Sequence, residues 1–320
     1  MYETKDISVI IPTYNRKEDL KITLKSLSKN LRDLKEIIVV DQSKNQETKK
    51  LIESLNAKKL KYVFSKTPSI TIARNIGVKK SSKDSKIICF IDDDVSIEGN
   101  YFKEILEVFN SNNLVKAAAG YVNIPENEKE PPIENMLRRL FFISFKEVNG
   151  ARILSSYCNT YPLILNKEIN SHWLPGVNMC YLKSVFNEQK FDENLLGYTV
   201  AEDIDFSYRL YKKYPTGLII TPRAKLIHRV SNKEREEKKR ISYINQVDHF
   251  YFQFKNLNNF RYIVKFFWSI IGITILRALN FMFNLNNRSK LKFIYYIESL
   301  FYSIYNLKKI KKGNVREFPQ

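Results

Sequence analysis

Short apolar runs alternate with amphipathic stretches over roughly the first third of the chain, and their two periods separate cleanly. Ile7-Ser8-Val9-Ile10-Ile11 is an apolar run closed by Pro12, and Arg16 to Lys29 follows with Leu20, Leu24 and Leu27 at helical spacing. Glu36-Ile37-Ile38-Val39-Val40 ends at Asp41; Gln46 to Leu55 then reads as a helix, Leu60 to Phe64 as a strand and Ile70 to Lys80 as a helix. The run Lys86 to Ile91 predicts a strand, Tyr101 to Phe109 a helix and Leu114 to Val122 a further strand. Repeated strand–helix units with short links predict an α/β fold, a mostly parallel sheet with helices on both faces. Ligands of such sheets bind at the carboxyl ends of the strands, so Asp41 and Asp92 to Asp94 are expected on one rim.

From Asn123 to Leu174 the periodicity weakens. Glu126 to Pro132 is polar and carries prolines, which predicts a loop, and the aromatic positions Phe141, Phe142 and Phe145 need a partner surface. Trp173-Leu174-Pro175-Gly176-Val177-Asn178-Met179 predicts a turn leading into a helix through Phe186, and Glu202 to Lys213 a helix with Ile204, Tyr208 and Tyr211 along one side. After Ser231 the chain changes character. Asn232 to Arg240 is almost entirely charged, and Ile241, Ile244, Val247, Tyr251 and Phe254 then recur at helical spacing. Phe266 to Leu276 is uncharged but short of the ~20 residues that a spanning helix needs, with Lys265 and Arg277 at its flanks. The last stretch sets Phe293, Ile294, Ile297, Phe301 and Ile304 beside Lys308, Lys309, Lys311 and Lys312, a composition suited to a bilayer interface. The expected organisation is a catalytic domain over residues 1–230 and a helical, basic, aromatic region over 231–320 with peripheral membrane contact.

Charge and cysteine usage refine this picture. Lys and Arg number 53 against 34 Asp and Glu, a net charge of +19, which favours nucleic acid, an acidic membrane face or a phosphorylated ligand. No aromatic RNA-binding signature, zinc-finger spacing or basic zipper accompanies that charge, so no nucleic-acid partner is expected. Cys89, Cys158 and Cys180 are odd in number, widely spaced and set in apolar surroundings, and they read as buried thiols of a reducing compartment. Met1 to Asp6 lacks the basic and apolar segments of a signal peptide, which predicts a cytoplasmic protein at the cytoplasmic face of the membrane.

The candidate chemistry centres on Asp92-Asp93-Asp94 after the apolar run Ile87 to Ile91. Adjacent carboxylates repel, and a divalent cation, a basic partner or a shared proton relieves them. Magnesium or manganese suits such a place, because each takes one or two carboxylates and completes its shell with water and substrate phosphate. An acidic loop capping the next helix is the alternative. Asp41 at a strand end can accept an N–H from a nucleobase, or cap the following helix. Glu202, Asp203 and Asp205 either supply a general base or form an acidic helix start.

Taken in order, these segments resemble the inverting nucleotide-sugar glycosyltransferases of family 2, which have the GT-A fold, from about Ile7 to Val230. Ser8-Val9-Ile10-Ile11-Pro12-Thr13-Tyr14-Asn15-Arg16 is similar to the opening strand and nucleotide-contacting loop of that family, and Ile37-Ile38-Val39-Val40-Asp41 to its second strand. Ala73-Arg74-Asn75-Ile76-Gly77 and Phe90-Ile91-Asp92-Asp93-Asp94 resemble its next helix and metal segment; Ala201-Glu202-Asp203 with Asp205 and Arg209 resembles the helix of the general base. The resemblance implies donor contacts at Pro12, Tyr14, Asn15, Arg16, Asp41, Arg74, Asn75, Asp92 and Asp93. It implies a Mn2+ or Mg2+ site at Asp94 with His228 and Asp92, and a base at Asp203 with Glu202 as the alternative. Gly176 and Asn178 are expected to shape the acceptor end of the cleft. Thr67-Pro68-Ser69-Ile70 departs from the family where a glycine is common, and no Gln-x-x-Arg-Trp follows Asp203, which argues for transfer of one sugar at a time. The implied reaction moves a sugar from a nucleotide-diphosphate sugar to a hydroxyl of a lipid-linked or cell-surface glycan. Nucleotidyl transfer uses the same kind of site and differs by releasing pyrophosphate.

Overall fold

The computed structural model describes residues 1–122, 132–144, 150–230, 237–284 and 287–318, and they fall into two compact units. The first takes residues 1–124, 164–197 and 202–235; the second takes 125–163, 198–201 and 236–320. The loop expected at Glu126 to Pro132 lies outside the described residues up to Pro132, as do Phe145 and most of the charged stretch from Asn232.

In the first unit the predicted alternation is realised. β1 (Ile7–Thr13), α1 (Lys17–Leu27), β2 (Glu36–Asp41), α2 (Glu47–Ser54), β3 (Leu60–Phe64), α3 (Ile70–Lys80), β4 (Ile87–Ile91), β5 (Val95–Ile97), α4 (Tyr101–Ser111) and β6 (Ala117–Gly120) follow in order. β1, β2 and β4 are buried along their whole length, which is why they read as continuous apolar runs. β1 pairs in parallel with β2 and β4, and β2 with β3, so Thr13, Asp41 and Ile91 end on the same side.

Beyond β4 the sheet departs from a purely parallel plan. β7 (Ile169–Asn170), β8 (Asn178–Leu182), α6 (Glu202–Lys213), β9 (Leu218–Thr221) and β10 (Leu226–His228) complete the unit, and the main sheet runs β3-β2-β1-β4-β8-β6-β9-β7. β8 lies antiparallel between β4 and β6. The helix expected after Met179 is therefore corrected: Asn178–Leu182 is a fully buried central strand, and only Lys183–Asn187 makes a short 3₁₀ turn. A buried run of five residues carries no period that separates the two. The same register sets Cys89 opposite Cys180, with Cα atoms 4.0 Å apart, and the two are bonded sulfur to sulfur. The expectation of three separate thiols is corrected, since a separation of 91 residues hides this pairing; Cys158 stays a thiol.

The second unit is helical. α5 (Pro132–Leu140), α7 (Lys238–Asn256), α8 (Phe260–Phe283), α9 (Asn287–Tyr305) and α10 (Leu307–Lys311) make it up, with α7 and α8 both packed on α9 and α5 on α8. Phe266 meets Phe250 and Tyr157 edge to face, with centroids 4.9 and 5.0 Å apart, an arrangement favoured by the ring quadrupoles. The described residues 132–144 and 150–163 cluster here: Phe141 packs on Trp268, and Trp268 Nε1 donates to the Leu140 carbonyl. Asp248 is fully buried and accepts from Thr199 Oγ1 (2.7 Å), Val200 N (3.1 Å) and both Arg316 terminal nitrogens (2.6 and 3.1 Å). The uncharged stretch Phe266 to Leu276 is also corrected: α8 continues through Lys265 and Arg277 to 24 residues, long and apolar enough to cross a membrane by length and composition.

Gly120 at the end of β6 tests the packing of the main sheet. A Cβ there would stand 2.2 Å from the Ala224 carbonyl oxygen, a backbone atom with little freedom to yield. Gly120→Ala is expected to destabilise the protein by about 1–3 kcal/mol, measured by urea denaturation. An unchanged midpoint would show that the Ala224 turn moves aside.

Candidate active site

The three aspartates stand at the turn from β4 into β5, and each has a different environment. β5 pairs antiparallel with β10, and the register His228↔Val95 carries a residue from far along the chain to the aspartate turn. His228 Nε2 lies 3.2 Å from Asp94 Oδ1, and Arg229 N donates to the Asp94 carbonyl (2.9 Å). The Arg229 guanidinium donates to the Asp19 carbonyl (3.0 Å) and to Thr23 Oγ1 (3.1 Å), and Thr23 Oγ1 donates to the Asp93 carbonyl (2.6 Å). α1 and β10 are thereby fastened to the aspartate turn.

Asp93 points inward. Thr13 Oγ1 donates to its Oδ2 (2.7 Å) and Arg16 Nη1 stands 3.5 Å from Oδ1 and 3.9 Å from Asp94 Oδ2. Burial outweighs these partners and pushes the Asp93 carboxyl up to about 7. Asp92 is pushed up to about 6, again by burial first, although Arg74 Nη2 lies 3.6 Å away.

Arg74 is 1% exposed and joins the aspartate turn to α6. Its Nη1 donates to Glu202 Oε1 (3.0 Å) and its Nη2 to the Gly176 carbonyl (3.1 Å), while the guanidinium lies over the Phe191 ring at 5.3 Å. Gly176 N donates to Asp203 Oδ2 (2.7 Å) and Ile204 N to Asp203 Oδ1 (2.7 Å). A Cβ on residue 176 would stand 3.0 Å from Asp203 Oδ2 and 3.2 Å from Arg74 Nη2, so this approach needs glycine. Burial raises the carboxyls of both Glu202 and Asp203, repulsion from Asp203 adds to the rise at Glu202, and Arg74 opposes it at both. Glu202 is buried and ion-paired, whereas Asp203 keeps part of its surface in solvent. Asp205 lies apart from them, bonded to Arg209 Nε one turn on (3.0 Å).

The proposed donor residues are divided. Tyr14, Asn15 and Arg16 follow the end of β1 and are partly exposed, while Pro12 is buried within the strand. Asn15 has a left-handed backbone (φ 53°), and its N–H donates to Ser43 Oγ (2.8 Å). Asp41 is fully buried; Ser43 N donates to its Oδ1 (2.9 Å) and the Tyr62 hydroxyl to its Oδ2 (3.0 Å), which with burial pushes Tyr62 up to about 12. Two expectations need correction. Asn75 spends its side chain on the 191–193 segment, donating to the Phe191 carbonyl and Glu193 and accepting from Phe191 N. Asn178, expected at the acceptor end, is fully buried, where its Oδ1 accepts from the Tyr101 hydroxyl (2.9 Å) and Gly120 N (2.6 Å). Sequence reasoning missed Thr13, Thr23, Gln42, Ser43 and Arg229. Gln42 Oε1 accepts from Ser69 N (2.5 Å), at the segment that departs from the family pattern.

Among the described residues no group of three or more His, Cys, Asp or Glu is arranged to hold a metal ion. Asp94 and His228 nevertheless offer a carboxylate oxygen and an imidazole nitrogen facing each other, a donor pair that manganese accepts and that leaves positions for phosphate oxygens.

Comparison with known proteins agrees with this architecture. The chain superposes on S. aureus TarS 1–349 in complex with UDP-GlcNAc at a TM-score of 0.52, with 15% identity over 97% of this chain and 88% of that one. It superposes on the mannosyltransferase PcManGT of Pyrobaculum calidifontis, in complex with GDP-Man and Mn2+, at 0.56, with 13% identity over 97% and 89%. The fold is therefore of the GT-A type. An uncharacterized glycosyltransferase of Rickettsia bellii (strain RML369-C) is 31% identical over 124 residues, 38% of this chain and 18% of that protein, so the match spans less than a fifth of the relative's length. The profile of the family described as "Glycosyl transferase family 2" matches residues 8–189, more than half of the sequence, and the chain belongs to that family.

The raised carboxyls set a pH dependence. Asp92 and Asp93 hold protons in the folded state that the unfolded chain releases at about pH 4. Their contribution to stability is complete below that pH and is lost as pH rises through about 6 and 7. Urea midpoints in chelator are expected to fall between pH 5 and pH 8, roughly, and Asp93→Asn to flatten the fall. A variant with the slope of the parent protein would contradict the assignment to Asp93.

Proposed function

We propose that the chain transfers a sugar from a nucleoside-diphosphate sugar to an acceptor hydroxyl with inversion at the anomeric carbon, assisted by Mn2+ or Mg2+. One observation carries the reading: Arg74 ties the strand-end aspartates to the acidic start of α6, through Asp92 at 3.6 Å and Glu202 at 3.0 Å. A site for an anionic leaving group and a site for a base are thereby held side by side. The nucleotide sugars bound in the two GT-A neighbours, and the Mn2+ in one of them, support the donor class and the metal.

Asp203 is the better base. Glu202 is buried against Arg74 with its carboxyl pushed up to about 8 by burial, whereas Asp203 is held by two backbone N–H groups and reaches solvent on one side. Burial raises its carboxyl, and a raised carboxylate is a stronger acceptor for the proton of the attacking hydroxyl. Deprotonation by a single base during one displacement inverts the anomeric centre. Asp94 and His228 would hold the cation, which when bound neutralises charge on the departing diphosphate. Arg74 fixes Glu202 and leaves Asp203 oriented by Gly176. The acceptor we favour is a lipid-linked or cell-surface glycan.

A panel of nucleotide sugars with Mn2+, scored by thermal protection and by release of free nucleoside diphosphate, tests the reaction; release of pyrophosphate would indicate nucleotidyl transfer instead. Asp203→Asn is expected to lower turnover by roughly 10²-fold or more while donor protection persists. Asp94→Asn should abolish Mn2+-dependent protection by donor. Glu202→Gln keeps an oxygen for Arg74 Nη1 and, because burial already pushes the Glu202 carboxyl up to about 8, should leave the urea midpoint at neutral pH close to that of the parent protein. If Glu202→Gln folds normally yet is inert, and Asp203→Asn turns over, the roles are reversed. A product that retains the anomeric configuration would exclude the single displacement.

A further inference from the structure

The second unit exposes an apolar surface that its own packing leaves bare. α8 buries Phe266, Ser269, Ile270 and Gly272, the last so close to Phe141 that a Cβ would stand 2.2 Å from its ring. Phe260, Val264, Trp268, Ile271, Ile275 and Met282 are exposed. At 100° per residue these six fall within about 80° of arc, opposite Phe266. No charged residue of α8 lies in that arc, and the stripe runs about 33 Å along the helix. α5, packed on α8, adds exposed Ile133, Met136 and Leu140 at spacings of three and four, and α9 adds Leu291, Ile294 and Phe301.

We propose that this surface lies flat in the interface of an anionic lipid bilayer, with the α8 stripe entering the acyl boundary and the surrounding lysines on the headgroups. Charge complementarity selects lipid as the occupant. Residues 238–320 contain 15 Lys or Arg and 3 Asp or Glu, and Lys290, Lys292, Lys308, Lys309, Lys311 and Lys312 are exposed. A long uncharged stripe on a unit this rich in exposed cations matches a planar anionic surface with an apolar interior. α8 does not span the bilayer, because its opposite side is occupied by neighbouring helices of the same unit, and a crossing would carry the exposed Arg277 into hydrocarbon. The inference rests on the second unit alone and stands whatever the sugar chemistry proves to be.

The chain holds its own reporter. Trp268 is 41% exposed on the stripe, whereas Trp173 is buried, and these are its two tryptophans. The full chain is mixed with vesicles of phosphatidylcholine alone or with phosphatidylglycerol, and flotation, tryptophan emission and quenching by lipids brominated at shallow or deep acyl positions are recorded. Expected are flotation with the anionic vesicles, weakened several-fold but not abolished by high salt, a blue shift, and stronger quenching from the shallow position. Ile271→Glu with Ile275→Glu, both at exposed positions, should reduce vesicle affinity at least about tenfold with unchanged circular dichroism and melting temperature. Indifference to anionic vesicles, or a double variant that binds like the parent, would overturn the proposal. Stronger deep quenching together with resistance to alkaline carbonate would overturn it in favour of a spanning helix.

Discussion

A single buried guanidinium organises the catalytic end of the first unit. Arg74 is withdrawn from water, and a charge in that position persists only when it is paired and hydrogen-bonded. Its partners come from three distant parts of the sequence: Asp92 after β4, the Gly176 carbonyl before β8 and Glu202 at the start of α6. Each needs Arg74 to offset its own desolvation, and Arg74 needs them. Removal of any one leaves a buried polar group without its partner, so the arrangement acts as a unit, and the glycine at 176 is what lets Asp203 and Arg74 approach the same turn.

A second constraint works through backbone pairing. β5 and β10 are only three residues long and stand outside the main sheet, yet their register sets His228 against Asp94. Arg229 secures it by bonding the Asp94 carbonyl and the carbonyl and hydroxyl of α1. The sequence signal for this pairing is slight, since Leu226–His228 is too short to show a period. The strands with strong signals are those buried on both faces, and they are also the ones whose carboxyl ends form the rim. Helices and strands from Ile7 to Ile91 were legible for that reason, and so was the placement of Asp41 and the aspartate triplet.

What the sequence hid was long-range register. Asn178–Leu182 is buried on every residue because it lies between two strands, and nothing local separates so short a run from a buried helix. That register also decides the fate of Asn178 and Cys180, which face the interior. Asn75 is a related case: the resemblance of Ala73-Arg74-Asn75-Ile76-Gly77 implied a donor contact, but the 191–193 segment that claims its amide is more than a hundred residues away. Polar side chains reveal their partners only when the fold brings the partner to them. Thr23 and Gln42, ordinary in sequence, became parts of the site in this way.

The net charge of +19 takes on a different meaning once it is divided. Residues 238–320 account for 15 of the 53 basic residues and 3 of the 34 acidic ones, leaving 38 and 31 for the rest of the chain. Most of the excess therefore belongs to the helical region, while the rim of the first unit gathers carboxylates whose protons are held unusually firmly. A site rich in acids repels a diphosphate by itself, and the cation proposed at Asp94 and His228 would reverse that sign locally. The proposed lipid contact would give the basic surface a different anion. Separating the two explains how one chain carries a strongly basic composition and an acidic candidate active site, and why whole-chain charge could not indicate which partner each part of the chain meets.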